Sequence, residues 1–482
     1  MTDTLPKAIK PEEVLFLTPS TLVAGRYGTY DMVLIWGPER TFEHALKAQA
    51  TAALLLAEKY PHIVSLVDAR EIESKANLTE IDPQRIRELE AETGHDVIAI
   101  NTALEEKVSA SAASHINKAR TSADTTQTAR ALQLKKSLEV IADSTENLRD
   151  ILLEKAVEWI DVPHMDLTHG YDALPTVAGR AFAHYAEMIQ SGLDVLKFVY
   201  TNSIKGKWGD ATGNHHAAVT LGIDGIQLQK EYCDRLGIGF MTAAAQVQGR
   251  EFDMDIWYAL TRLGTTLDNV ARYIWWGRSD DVNVFINSDP KKKKGSSAMP
   301  HKDAKHGNPT IEEQTMSLRN YLIGNLMTAV VNVEMAYARD LADSANSRIN
   351  FEDGFKFLDH GIRNLAKQAY WITLREERCI ERVQRSCGVV TAAQVMTYLT
   401  NSNAVSSPLS REKAHSLTAI LATQAWESKT PFIELLLKEP EITSRISEST
   451  LRGLTDPIKF IGQSKEIIRL VMNQYHKKKT LA

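Results

Sequence analysis

The chain has 482 residues, 43% of them hydrophobic and 24% charged, with a formal net charge of −5. That length exceeds what one simple core fills, so two or three domains are expected, and the charge balance offers no global field to draw in nucleic acid. No apolar run reaches membrane-spanning length, Met1 to Pro6 shows no basic stretch followed by an apolar one, and Cys233, Cys379 and Cys387 form neither a metal-ligand spacing nor a disulfide framework; a cytoplasmic protein without a membrane partner is expected.

Residues 1–117 read as an N-terminal helical part. A polar lead-in reaches Arg26-Tyr27-Gly28, and the Ala- and Leu-rich stretch from Thr41 to Lys59 has helical character. Gly94-His95-Asp96-Val97 opens a further helix with Asp96 near its start.

Residues 118–370 change to long, heptad-like helices. Leu134, Leu138, Ile141, Leu148 and Leu152 fall on one helical face, with Thr145 interrupting; Phe182, Tyr185, Ile189, Leu193 and Leu196 form a second stripe. Ile256, Leu260, Leu263, Leu267, Val270 and Ile274 keep strict four-three spacing, and Leu318, Leu322, Leu326, Ala329 and Val333 form a fourth. Such stripes are core positions, and several helices of about twenty residues predict an elongated bundle. They are too apolar for one narrow seam, so burial against other subunits is expected.

Residues 371–482 carry shorter helices between polar turns, one starting at Ser410-Arg411-Glu412-Lys413 with Ser410 and Lys413 near the cap. The fold class is therefore all-α, in three unequal parts. The runs Lys291 to Lys294 and Lys477 to Lys479 lack interleaved aromatics and read as a solvated loop and tail, the first placed to draw in an anionic substrate.

Three stretches carry groups suited to chemistry. Gly295-Ser296-Ser297-Ala298-Met299-Pro300-His301-Lys302, continuing to Asn308-Pro309, is a loop by its Gly, Ser and Pro content. It holds a hydroxyl (Ser296), a cation (Lys302) and an amide (Asn308), a set that suits a negatively charged substrate. Thr168-His169-Gly170-Tyr171-Asp172-Ala173-Leu174-Pro175 reads as a loop placing an imidazole that can give or take a proton. Arg339, Ser344 and Arg348 put two guanidinium groups around a serine, with Ser344 and Arg348 on one helical face, suited to gripping carboxylate or phosphate. The close histidine pairs lack the spacing of a zinc site, so no metal is expected.

The order of residues in the first stretch resembles the signature loop of the fumarase/aspartase superfamily and, within it, the adenylosuccinate lyase family. Thr168-His169-Gly170 with Ala173 and Pro175 resembles the same family's general-acid stretch, departing from it at Tyr171 and Asp172. Arg26-Tyr27, His95-Asp96, Thr121-Ser122-Ala123-Asp124, Gln246 with Arg250, Lys207 to Gly213 with Asp210 in place of a common glycine, and several C-terminal stretches follow in the family's order, from about residue 20 to 470. Where the family has one residue between the loop lysine and asparagine, Asp303 to Gly307 intervene. Either that loop bulges outward and Asn308 still reaches the site, or another group takes its place; the spacing of Glu313 favours the bulge.

The resemblance implies β-elimination of fumarate from adenylosuccinate, giving AMP, and from SAICAR, giving AICAR, without a cofactor. It implies Ser296 as base and His169 as acid, with Lys302 and Asn308 holding the carboxylate on which charge accumulates and His95 joining the catalytic set. Arg26, Tyr27, Asp96, Thr121, Ser122, Gln246, Arg339, Ser344 and Arg348 would bind substrate, in a homotetramer whose sites draw on several subunits. The alternatives are an argininosuccinate lyase or cycloisomerase type of enzyme, or a non-catalytic oligomeric relative.

Overall fold

The computed structural model describes residues 26–291, 294–305 and 307–481. Lys292 and Lys293 of the first lysine run, His306 and the lead-in before Arg26 lie outside them.

Tyr30–Ile35 (α1) leads into Pro38–Lys59 (α2), which opens with proline at its first position, where the missing N–H costs no hydrogen bond. Asp96–Glu105 (α3) follows with His95 as its N-cap residue. Ser122–Glu158 (α4) runs for 37 residues, about 55 Å. Thr121 and Asp124 start it with a reciprocal capping box that satisfies two orphan N–H groups.

A two-stranded hairpin, Pro163–Thr168 (β1) and Tyr171–Val177 (β2), leads into Gly179–Asn202 (α5). Gly225–Leu236 (α6) is capped by the Asp224 carboxylate and closed by Gly237 at φ +65°. The long helices Glu251–Arg278 (α7), Thr310–Val331 (α8) and Ser344–Trp371 (α9) complete the centre, and Arg411–Ser428 (α10) and Ser464–Tyr475 (α11) are the longest helices of the C-terminal part. Besides the hairpin, the strands are two short pairings, so the described residues form an all-α protein.

Five long helices close a ring: α4 packs on α5 and α9, α5 on α7, α7 on α8, and α8 on α9. The four-three stripe of α7 lies wholly inside it, with Ile256, Leu260, Leu263 and Ile274 at 0% exposure. Each such side chain contributes roughly 1.5–3 kcal/mol by leaving water. The α4 and α5 stripes are buried too, with Thr145 among them and Tyr185 only partly covered. One apolar cluster runs through the ring and takes in Ile468 and Val471 of α11, while a second, from Val395 to Leu451, surrounds α10. Ser410 caps α10 by accepting the Lys413 N–H, as its sequence indicates.

Three expectations change. The stripe assigned to α8 is only half interior: Leu322 and Ala329 are buried, Leu318 and Leu326 are partly covered, and Val333 lies past the helix end. Met327, Val330 and Val331 are 59%, 44% and 66% exposed, because the ring covers one flank of this helix and leaves the other open. The Thr168–Pro175 stretch is a β-hairpin rather than a loop, since Gly170 marks a two-residue turn and Pro175 is carried within β2. The Lys477–Lys479 run keeps exposed side chains, as expected, yet it is tethered to α4 rather than left as a free tail. Lys479 pairs with Asp143 and with Glu146, whose side chain is 5% exposed, and the Lys477 and Thr480 N–H groups donate to Asp150 and Glu146 of α4.

Candidate active site

The N-termini of α3, α4 and α9 meet. His95 Nε2 lies 3.3 Å from Ser122 Oγ at the first turn of α4, and its Nδ1 lies 3.2 Å from the Asp96 carboxylate. The other oxygen of Asp96 is 3.6 Å from the Arg348 guanidinium, one turn into α9 from Ser344. One chain of polar contacts thus joins Ser122, His95, Asp96 and Arg348, whose side chain is 71% exposed and free to reach an anion. Helix N-termini with their unpaired N–H groups add to the pull on negative charge.

What holds Thr121 and Ser122 is a buried knot beneath them. The Asp124 carboxylate accepts the N–H groups of Thr121 (2.9 Å), Gly209 (3.0 Å) and Asp210 (3.1 Å) and pairs with Lys207. Both side chains are at 0% exposure, and Lys207 also donates to the Asp210 carbonyl at 2.9 Å. Asp210 sits at φ +59°, a conformation natural to glycine; its carboxylate compensates by accepting the Thr212 and Ala217 N–H groups. Sequence reading passed over the Asp124–Lys207 pair as a pair. The Thr-x-x-Asp spacing signals the cap, but nothing local marks its union with a lysine 83 residues away.

Gln246 and Arg250 secure the segment between α8 and α9. The Gln246 N–H donates to the Ala338 carbonyl and its side-chain amide to that of Ala211. Arg250, 6% exposed, pairs with Asp343 at 2.8 Å, at the N-terminus of α9. Burial pushes its guanidinium below the usual range, with Asp253 opposing. Arg339 in this segment keeps a buried Nη1 without a hydrogen-bond partner among the described residues.

The signature loop is cinched at its neck. The Gly295 N–H donates to Asp303 (2.6 Å), and the Asn308 side-chain amide donates to the Gly295 carbonyl (2.7 Å). That N–H, and then Lys294, hold the Asp303 carboxyl below the usual carboxylate range. Pro300–Lys305 form a short 3-10 turn, and Asn308 sits at the base of the loop. A Cβ on residue 295 would lie 2.5 Å from the Lys302 carbonyl carbon, so only glycine fits. Inside the loop Ser296 Oγ accepts two N–H groups, from Ala298 (3.2 Å) and Met299 (3.1 Å). Half-buried Lys302 follows on the 3-10 turn.

His169 stands exposed at the tip of the β1–β2 hairpin. It and Gly170 have φ +55° and +83°, the two left-handed residues of a tight hairpin turn. Tyr27, beside Arg26, packs edge-on against Phe357 and His360, about 14–18 Å further along α9 than Arg348. No hydrogen bond or ion pair among the described residues joins His169, Ser296 or Arg26 to the His95–Ser122–Asp96–Arg348 chain within one molecule. No group of His, Cys, Asp and Glu among them could hold a metal ion, and no helix there is long and apolar enough to cross a membrane.

Comparison with known proteins bears on the family and the fold. A family profile described as lyase matches residues 28–320, and one described as adenylosuccinate lyase C-terminus matches residues 388–471. The adenylosuccinate lyase of Pyrococcus abyssi is 28% identical over 448 residues, 93% of this chain and 96% of that protein. The adenylosuccinate lyase of Bacillus subtilis is 27% identical over 431 residues, 89% and 95% of the two. Among solved structures, a fumarate lyase from Mesorhizobium sp. BNC1 superposes with a TM-score of 0.80 at 18% identity, covering 93% of this chain and 98% of that one. A 3-carboxy-cis,cis-muconate lactonizing enzyme from Pseudomonas putida does so with a TM-score of 0.79 at 19% identity, covering 95% and 99%. With the lyase profile spanning more than half its length and the adenylosuccinate lyase C-terminus following it, the chain belongs to the lyase family, in its adenylosuccinate lyase branch.

Proposed function

We propose that the protein cleaves adenylosuccinate to AMP and fumarate, and SAICAR to AICAR and fumarate, as a cytoplasmic homotetramer whose sites are assembled from several subunits. The observation that carries the catalytic assignment is the pair of N–H groups donated to Ser296 Oγ. Oriented donors favour the alkoxide over the hydroxyl, and the Lys302 cation on the next turn works in the same direction.

In the reaction, the Ser296 alkoxide takes the Cβ proton of the succinyl group. The electron pair passes into the neighbouring carboxylate, whose dianion Lys302 stabilises, and then forms the carbon–carbon double bond of fumarate as the carbon–nitrogen bond breaks. His169 gives its proton to the departing nitrogen. Asn308 supports the loop from its neck, while His95, Asp96, Thr121 and Ser122 line one flank of the substrate. Arg26, Tyr27, Gln246, Arg339, Ser344 and Arg348 take the phosphate and the remaining carboxylate.

The exposed flank of α8, with Met327 and Val331 open to a partner, supports the reading that subunits share their sites. Incubation with adenylosuccinate should release fumarate. Ser296→Ala and His169→Ala should each lower turnover ~100- to ~10,000-fold without altering the circular dichroism spectrum. Mixing the two inactive variants after partial dissociation should restore activity, since some reassembled sites would carry both intact residues. Near-normal turnover in either variant removes that residue from the mechanism, and a mixture that stays inactive removes the shared site.

A further inference from the structure

The proposed acid, His169, sits on a turn that needs holding. Both turn residues are left-handed, a conformation less favourable for histidine than for glycine. The ladder beneath is interrupted: pairing shifts between Met165 and Leu167, so the tip is joined to the rest of the hairpin through Leu167 with Asp172 and Thr168 with Tyr171 alone. An irregularity of this kind bends the strand and sets the direction in which the tip leaves the base, with few ladder bonds to fix it.

Asp172 lies at that joint, and it is gripped from outside the hairpin. Its two oxygens accept from Nε and Nη2 of Arg385 at 3.0 and 2.9 Å, a fork-to-fork pair, and Arg382 approaches to 3.7 Å. The Asp172 side chain is 14% exposed and that of Arg382 6%, while Arg385 reaches them from the surface with its side chain 47% exposed. The helix Glu376–Gln384, which carries Arg382, packs along β1, and Arg385 is its C-cap residue. Bidentate guanidinium pairing fixes orientation as well as distance, so the carboxylate sets the angle at which the tip leaves the sheet.

We propose that Asp172, clamped by Arg385 and Arg382, is the positioning residue for His169: it fixes the hairpin tip so that the imidazole meets the departing nitrogen. The proposal rests on the lyase reading given above. It also accounts for the departure of this chain from the family pattern at Tyr171-Asp172, since an acid at 172 is of use only with arginines facing it.

The test uses the full-length protein. Asp172→Asn keeps the shape and removes the charge, and Arg385→Ala removes the partner at a position that is 47% exposed, where folding is least at risk. Each should lower kcat about 10-fold or more, with KM for adenylosuccinate changed by less than about 3-fold, because a misplaced acid acts on the transition state and not on binding. The double variant should be no worse than either single one, and Asp172→Glu should recover most of the loss. Amide hydrogen exchange at residues 168–172 should quicken in both single variants and not in Asp172→Glu.

A wild-type kcat in Asp172→Asn and Arg385→Ala overturns the proposal. So does a loss that appears in KM alone or that Asp172→Glu does not relieve. The two readings fail separately: a wild-type protein that releases no fumarate sinks the lyase assignment, and unchanged exchange at the hairpin tip in the variants sinks the clamp.

Discussion

Replacing Lys207 by Met tests the knot beneath Thr121 and Ser122. The substitution keeps the length and apolar stem of the side chain but leaves the Asp124 carboxylate, at 0% exposure, without its cation. Breaking a buried pair by removing one partner costs about 3–5 kcal/mol. Asp124 retains the N–H groups of Thr121, Gly209 and Asp210, which hold an anion well, so the loss should fall near 3 kcal/mol. Asp124→Asn should cost at least as much, because it turns an amide N–H₂ toward backbone donors and strands the ammonium group. The double variant Asp124→Asn/Lys207→Met should lose clearly less than the sum, since neither charge is then left alone. Urea unfolding at fixed subunit concentration gives these differences from the midpoint at constant slope. A loss below about 1 kcal/mol for Lys207→Met, or strict additivity in the double variant, would show that the pair is not the anchor described.

Gly295→Ala should reduce turnover on the order of 100-fold with an unchanged melting temperature, because the new methyl forces Lys302 away from the loop neck and displaces Ser296; steady-state kinetics and a thermal melt check this. Met327→Asp and Val331→Asp, both on the open flank of α8, should dissociate the assembly and abolish activity together, as read by light scattering and assay. Burial, reinforced by Arg382 and opposed by Asp172, pushes the His164 imidazole down to about 4 from 6.5. Its folded form therefore favours the neutral ring, and stability is complete above 6.5 and lost as pH falls toward 4, by about 2 kcal/mol at about pH 5. Denaturation of the wild type and His164→Gln at neutral pH and near pH 5 should show a shallower fall in the variant; identical falls would exclude His164 as the cause.

Sequence periodicity made the bundle legible because burial on a helix repeats locally: α7, with its strict four-three spacing, is interior along its whole stripe. The same reasoning over-assigned α8, whose apolar residues have the right period but face outward where one chain offers them no neighbour. Gly170 and Pro175 announced a break in helical geometry, and a break is compatible with a loop or a hairpin; only the pairing of β1 with β2 decides between them. Ser296, His95, Arg348 and Lys207 were each singled out because their order matches a known pattern, whereas the union of Lys207 with Asp124, 83 residues away, has no local signature. The tethering of the basic run at Lys477 to Lys479 was hidden for a similar reason, since Asp143 and Glu146 are more than three hundred residues away in the chain.

That last contact sets an order of events during synthesis. Glu146 is nearly withdrawn from water at the middle of α4, yet the N–H that meets its carboxylate belongs to Thr480, 334 residues later. A ribosome that has translated every helix of the ring has still to deliver the groups that neutralise this acid. Until Lys479 and Thr480 are made, that carboxylate lacks its partners, so a chain cut before Lys479 should be less stable than one that includes it.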